Sequence, residues 1–283
     1  MAVSRIHSQR NGFRISMVSG VPYETADVVA APKIYLVPAW SDCISLYYPT
    51  NDCWELWQSA QIELNLNGLV ASGSNYDVFV YVNRATGVLS LELAVWTSDN
   101  VRATAIDRVQ GIRCKNGATD RRYVGTIRGS AANVTEDSLV KRFCYNFYSQ
   151  RLKVLKYTDS TPNVYDGIPY QQWRFGAIGT AAKVEFVLGQ IANSLSYTCS
   201  ISAQHNNNGR VLGFGAGLNT VAAPTTTPLT LDCPRLNEPA TTMASDGSYI
   251  LIGYNYLSAL QSALAAGATA TWNQINVNAA INM

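Results

Sequence analysis

The chain is 283 residues long, 47% hydrophobic and only 14% charged, and its 21 basic and 19 acidic residues leave a net charge of +2. That length buries a core without disulfides or metals, and the charge balance offers neither a basic footprint for nucleic acid nor a polybasic run for a membrane surface. Charge lies well below the roughly 25% usual for soluble domains, and Ser, Thr, Asn, Gln and Gly take its place. Such a composition suits a subunit lying against neighbours, because an amide or hydroxyl costs far less to desolvate than a charge; a neutral secreted or storage-type domain shares it.

Residues 1–12 carry polar and basic side chains up to Asn11-Gly12, with no apolar segment of a secretory signal, and read as an N-terminal arm. Short runs of alternating apolar and polar residues then predict strands at 13–17, 62–66, 76–81, 88–96, 123–128, 173–175, 183–188, 197–202 and 250–254. Arg84-Ala85-Thr86-Gly87 supplies a turn that makes 76–96 a β-hairpin. Thr135-Glu136-Asp137-Ser138 can cap a helix carrying Leu139, Phe143 and Phe147. Phe143, Tyr145 and Phe147 also alternate, however, and aromatics favour a strand after a short turn. The leucines at 257, 260 and 264 are spaced as in a short helix, with a strand equally open.

The stretch 203–239, rich in Asn, Gly, Pro and Thr, reads as a loop or extended arm. It separates a β-sandwich core at 13–202 from a final core element at 240–264 and a C-terminal tail at 265–283. The expected fold class is mainly β, an antiparallel sandwich or jelly roll with long loops and extended terminal arms. No apolar stretch is long enough to span a bilayer.

The six cysteines are scattered, with no C-x-x-C pair and no nearby histidine, which argues against a zinc site. Cys43 and Cys53 flank Tyr47-Tyr48-Pro49-Thr50-Asn51-Asp52, a hairpin tip, and are the candidate disulfide; small buried thiols are the alternative.

Chemistry is sparse. His7 and His205 sit in no Ser-His-Asp or Cys-His setting, and an Asn-rich loop leaves His205 to solvent. Gly213-Phe214-Gly215-Ala216-Gly217 resembles a phosphate loop but lacks its lysine and its strand-to-helix context, so loop flexibility is the simpler reading. Glu63, Glu92, Glu136 and Asp137 are the carboxylates from which a glycoside-hydrolysing pair would be drawn, each more simply a surface residue or an arginine partner. No catalytic residue, cofactor or metal ligand is assigned. Trp40, Tyr47, Tyr48, Trp54 and Trp57 form an aromatic group suited to core, subunit interface or sugar contact.

The run Tyr76-Asp77-Val78-Phe79-Val80-Tyr81, then Leu91-Glu92-Leu93, Trp96 and Arg102-Ala103-Thr104, followed by Gln110-Gly111-Ile112 and Lys115, leads to Arg121-Arg122-Tyr123-Val124-Gly125-Thr126-Ile127-Arg128. Glu136-Asp137-Ser138 and Lys141-Arg142-Phe143-Cys144-Tyr145-Asn146-Phe147-Tyr148 close the block. This block, 76–148, resembles a group of tailed-bacteriophage virion proteins encoded among neck, tail and fibre genes. The chain departs from the group's Val-Trp-Asn-Tyr-Tyr at Phe143 to Tyr148 and again over 273–283. The resemblance implies a particle component, and the start without a secretory signal gives the expectation that it is made in the host cytoplasm.

Arg121, Arg122, Lys141 and Arg142 flank aromatic runs and can stack on rings or pair with Glu92, Glu136 or Asp137, fixing strand register or a subunit contact. The leading expectation is a non-enzymatic structural subunit of the neck, tail, fibre or capsid surface. It would act as a homo-oligomer, a trimer in the first instance, against other virion proteins. The alternative is a receptor-binding adhesin for host-surface glycans; a glycan-degrading depolymerase ranks third.

Overall fold

The structure, a computed structural model, describes residues 10–174, 182–206, 210–225, 229–233, 240–250, 252–264 and 270–283. The first strands are β1 (Phe13–Ser16), β2 (Val28–Ala31), β3 (Lys33–Pro38), β4 (Cys43–Tyr48), β5 (Cys53–Gln58) and β6 (Ile62–Asn65). The middle of the chain holds β7 (Asn75–Asn83), β8 (Val88–Val95), β9 (Ile106–Val109), β10 (Ile112–Lys115), β11 (Ala118–Ala131), β12 (Val134–Asp137), β13 (Lys141–Arg142) and β14 (Cys144–Asn146). Then come β15 (Leu152–Asp159), β16 (Asn163–Tyr165), β17 (Gln171–Gln172), β18 (Lys183–Leu188), β19 (Ala192–His205) and β20 (Arg210–Leu218). The last are β21 (Leu229–Cys233), β22 (Ala240–Ile250), β23 (Gly253–Ser262) and β24 (Ala270–Asn282).

A long sheet runs β21-β20-β23-β18-β13-β12-β11-β10-β9, with β2, β7, β8, β14 and β17 joined beside that path. A five-stranded sheet runs β15-β24-β19-β22 with β16 also on β24; β1-β3-β6 make a small third sheet, and β4-β5 a hairpin of their own. The described pairings are antiparallel except β13 with β18. The sheets are open, with β21 and β9 at the ends of the long one, so the mainly β antiparallel expectation stands without a closed jelly-roll barrel. The 76–96 hairpin forms as its alternation predicts, with Tyr76 opposite Val95 and Asn83 opposite Val88, and Gly87 at φ 70° in the turn.

Two hydrophobic cores lie against the long sheet. In the first, Ile34 and Leu36 of β3 and Ile44 and Leu46 of β4 close on Val78 and Val80 of β7 and on Ile127 of β11. In the second, the inner face of the five-stranded sheet meets β18, β20 and β23. Tyr197, Cys199 and Ile201 of β19 and Trp272, Ile275 and Val277 of β24 lie against Phe186, Phe214 and Leu257. Trp173 and Trp272, both fully buried, meet edge-on with ring centroids 6.4 Å apart at 82°, the arrangement the ring quadrupoles favour.

Several expectations are corrected by this second core. The 203–239 stretch is not one loop or arm, because 210–218 is strand β20, hydrogen-bonded to β21 and β23. The Gly213–Gly217 run is neither a phosphate loop nor a flexible one. Leu212, Phe214 and Ala216 point into the core, and the glycines between them let other segments lie on bare backbone. A Cβ at Gly217 would come within 2.4 Å of the Thr220 carbonyl oxygen, and one at Gly215 within 2.8 Å of the Pro224 ring. The described part of the 265–283 tail, 270–283, is not a tail. It is β24, paired on one side with β15 and on the other with β19. The leucines of 257–264 fall on strand β23 and the residues after it, not on a helix, and 134–146 is strand with a turn at Ser138. His205 is buried at the end of β19, not solvated. Of the expected N-terminal arm, 1–9 lie outside the described residues, while Asn11 bridges to Ile44 and Ser45 N–H donates to the Arg10 carbonyl, so 10–12 run beside β4.

Candidate functional site

The aromatic hairpin comes first. Pro49–Asn51 form a single 3₁₀ turn at its tip, and Asp52 takes the left-handed conformation (φ 46°) that returns the chain into β5. The ladder sets Tyr47 opposite Trp54 and Ile44 opposite Trp57, and strand alternation sends these pairs to opposite faces. On one face Arg84, reaching over from the β7–β8 turn, stands 3.9 Å from the Tyr48 ring centroid and 5.6 Å from that of Trp57. It also pairs with Glu55, which accepts the Trp57 indole N–H at 3.2 Å. On the other face Tyr47 and Trp54 meet at 5.5 Å, tilted by 53°, and Tyr47 donates its hydroxyl to Asp52. Trp40 lies outside the hairpin, in the turn after β3, and is 58% exposed. The five rings therefore do not make one flat platform on which a sugar could stack.

The candidate disulfide is not made. Cys43 lies opposite Gln58 and Cys53 opposite Tyr48, at the two ends of the hairpin, and both thiols are free. The separation along the strand is roughly 17 Å at about 3.4 Å per residue, against the roughly 7 Å between Cα atoms that a disulfide tolerates. Cys114, Cys144 and Cys199 are buried and free; burial pushes the Cys114 thiol up to about 11 and the Cys199 thiol up to about 12.

Arg121, Arg122, Lys141 and Arg142 are all engaged. Arg121 pairs with Glu92 and Asp120 and lies over the Tyr81 ring at 4.7 Å. Lys141 reaches Glu136 at 3.4 Å. Arg142 meets Asp137 at 3.0 Å, directly across the β12–β13 ladder. Arg122 is fully buried. Its Nη1 donates to the carbonyls of Arg10 and Ser45, both at 2.8 Å, and its guanidinium stacks over the Tyr148 ring at 4.5 Å, while burial lowers its pKa. It thereby ties β11 to β4 and to the segment beside it.

Three further features were not singled out in the sequence. Asp77 is held by two hydrogen bonds from Arg102, at 2.6 and 3.1 Å, and one from Thr126 at 2.8 Å; Arg102 also donates to the Gly189 carbonyl and lies over Trp96. Burial alone would lower the Arg102 pKa, but the hydrogen bonds and charge of Asp77 outweigh it and raise it. The pairing joins positions far apart in the chain, which no local pattern announces.

The second feature is the outer face of the five-stranded sheet. Its rows run Val154–Ala280–Ser196, Lys156–Asn278–Thr198 and Thr158–Asn276–Ser200 across β15, β24 and β19. Thr158 donates to the Asn276 amide oxygen at 3.0 Å and Asn276 donates to Ser200 at 3.2 Å, a polar ladder across three strands. Lys156 is the one charged group in these rows. Leu152 and Val154 are 66% and 49% exposed. The signal was present on β19 and β24 as period-two alternation in which the outward residues of these rows, Ser196, Thr198, Ser200, Asn276, Asn278 and Ala280, are uncharged.

The third is a cavity of about 270 Å³ between 24–27, the β12–β13 turn and the start of β15, lined by Glu24, Asp27, Arg142 and Lys153 among others. Lys153 lies 2.7 Å from Asp137 and 3.9 Å from Glu24. Glu24 accepts from Ser16 and from the Met17 N–H at 2.8 and 2.9 Å, and Asp27 accepts from the Leu139 N–H at 2.9 Å. Three separate segments build it.

Among the described residues no group of three or more His, Cys, Asp or Glu is placed to hold a metal ion, and no helix is long and apolar enough to cross a membrane. The four carboxylates from which a hydrolytic pair would be drawn each meet a cation: Glu63 with Lys33, Glu92 with Lys115 and Arg121, Glu136 with Lys141, and Asp137 with Arg142 and Lys153.

No protein-family profile matches the chain, and no curated protein matches it in sequence. Among solved structures it is similar to dimeric latent PorU from Porphyromonas gingivalis (10% identity, 75% of this chain and 24% of that one, TM-score 0.32). It is also similar to the insecticidal delta-endotoxin Cry8Ea1 from Bacillus thuringiensis (7%, 96% and 52%, TM-score 0.27) and to a family 35 carbohydrate-binding module from Clostridium thermocellum (14%, 44% and 97%, TM-score 0.22). The chain spans about a quarter and about half of the first two. At these identities and scores the likenesses carry no argument about what the chain does.

Proposed function

We propose that this chain is a non-enzymatic structural subunit of a tailed-bacteriophage particle and works as a homo-oligomer, with a trimer the favoured assembly. The supporting observation is the outer face of β15-β24-β19. A surface built from Ser, Thr, Asn and Ala with one lysine can be covered by another face of a neighbouring copy, as a three-fold ring requires, with little charge to desolvate. Its hydroxyls and amides both donate and accept, so they can satisfy one another when water leaves. Leu152 and Val154 add apolar area at its edge. The resemblance over 76–148 supplies the particle context, and neck, tail, fibre and capsid surface all remain within the proposal.

Light scattering of the purified full chain beside Ser196→Glu and Ser200→Glu tests it. An unpaired charge buried in a contact costs several kcal/mol, so each variant should dissociate at concentrations where the unchanged chain is assembled, by a factor of about 100 or more. A monomer for the unchanged chain, or assembly indifferent to both variants, overturns the proposal.

A second reading, a receptor-binding adhesin for host-surface glycans, is favoured by the charged cavity. It offers fixed donors and acceptors side by side in a concave site, which is what oriented binding of a small polar ligand needs.

A further inference from the structure

We infer that the cavity between 24–27, 139–142 and 152–154 is a subsite for one neutral sugar ring; the inference rests on the glycan-recognition reading and deepens it. Its size argues for a small occupant, since about 270 Å³ falls just below the roughly 300–1,000 Å³ of pockets for drug-sized ligands. Its charges are already set by partners in the wall. Asp137 takes both Lys153 and Arg142, Glu24 takes the Met17 N–H and the Ser16 hydroxyl, and Asp27 takes the Leu139 N–H. A ligand thus meets groups that need little reorganisation.

Between Lys153 Nζ and Glu24 Oε2 the distance is 3.9 Å, beyond hydrogen-bond range. Lysine can only donate and a carboxylate can only accept. A hydroxyl that accepts from Lys153 and donates to Glu24 satisfies both at once, and a sugar ring presents adjacent hydroxyls of this kind. The balance of charge selects among sugars. The lining sets Glu24 and Asp27 against Arg142 and Lys153, and both cations are already paired with Asp137 behind them, so no net positive charge is left to hold a uronate or a phosphate. The absence of an aromatic ring among the lining residues means that hydroxyl contacts, not stacking, must hold the ligand.

Saturation-transfer difference NMR on the full chain with methyl glucoside, methyl galactoside and N-acetylglucosamine tests this, with glucuronate and inorganic phosphate as anionic comparators. At least one neutral sugar should give a signal, glucuronate should bind at least tenfold more weakly, and Asp27→Asn should narrow that gap. Ala26→Trp fills the cavity while keeping every ion-pair residue and should abolish the signal; Thr25→Tyr repeats the test if the tryptophan variant melts early. Silence from all three neutral sugars, equal binding of glucuronate, or a signal that survives both filled variants overturns the inference. A glycan array separates this from failure of the broader reading. Array binding by the unchanged chain that Ala26→Trp retains removes the cavity but keeps the adhesin reading, and no array binding at all removes both.

Discussion

Up to Glu185 the molecule is laced with charge, whereas beyond it the charged residues are Arg210, Asp232, Arg235, Glu238 and Asp246 alone. The ion pairs of the described residues all fall in the first part, from Lys33–Glu63 to Lys183–Glu185. The two parts solve the problem of strand register differently. In the first, Arg102 on Asp77 and Arg142 on Asp137 mark particular partners, and a slipped register would leave a buried charge without one, at a cost larger than the pair itself contributes. In the second, register follows side-chain size: Trp272, Ile275 and Val277 fill the core while small polar residues alternate outward. Specificity by charge leaves a patterned surface, and specificity by packing leaves a plain one that a neighbour can cover.

The contrast can be broken at its strongest points first. Trp272→Ala removes the largest buried side chain of β24 and should destabilise by about 3–5 kcal/mol, read from urea unfolding. A loss below about 1 kcal/mol would mean that packing does not hold the uncharged part. Arg102→Ala should cost a similar or slightly smaller amount, about 3–5 kcal/mol for a buried pair cut on one side. Joint replacement with Asp77→Leu and Arg102→Met should recover most of it, and if the double variant is no better than the single one, the cost is not that of an orphaned charge.

The smallest effect is the acid response of Glu92. Burial pushes its pKa up, but hydrogen bonds from Lys115 and Arg121 outweigh it and hold the group below its ordinary 4.5. A carboxylate lowered in the folded state adds stability above its unfolded value and loses it as pH falls through the folded one. Glu92→Gln should therefore lower stability at pH 7 and flatten the decline below about pH 4.5. Superimposable pH profiles for the two proteins would show that the pairing contributes nothing.

The strands were legible where alternation was undisturbed, as in 76–96 and 183–188, because period two follows from the pleat itself. Strand β20 was hidden by its glycines, which read locally as flexibility and are explained by what lies on them: Tyr170 and Leu264 at Gly213, Pro224 at Gly215 and Thr220 at Gly217. Strand β24 shows apolar residues at 275, 277, 279 and 281, an alternation that the tail expected over 265–283 leaves unused. The charge partners Glu92, Glu136 and Asp137 could be named from sequence, since short strands bring them near the basic pairs. Asp77 with Arg102, and Glu24 with Lys153, could not, because their meeting depends on how distant segments cross. The overall 14% charge likewise averages over two parts that differ sharply.

The strand β13 has a mechanical consequence. The ladder that joins the charged part of the long sheet to the uncharged part passes through two rungs, Lys141 with Glu185 and Arg142 with Phe186, in the parallel arrangement. Between β19 and β24, by comparison, the ladder runs from Ser196 opposite Ala280 to His205 opposite Ala270, with one shift between Ser202 and Ala203. Within the long sheet that seam is narrow, and the eight rungs of β15 on β24 in the other sheet are what lace the two chemistries together across it.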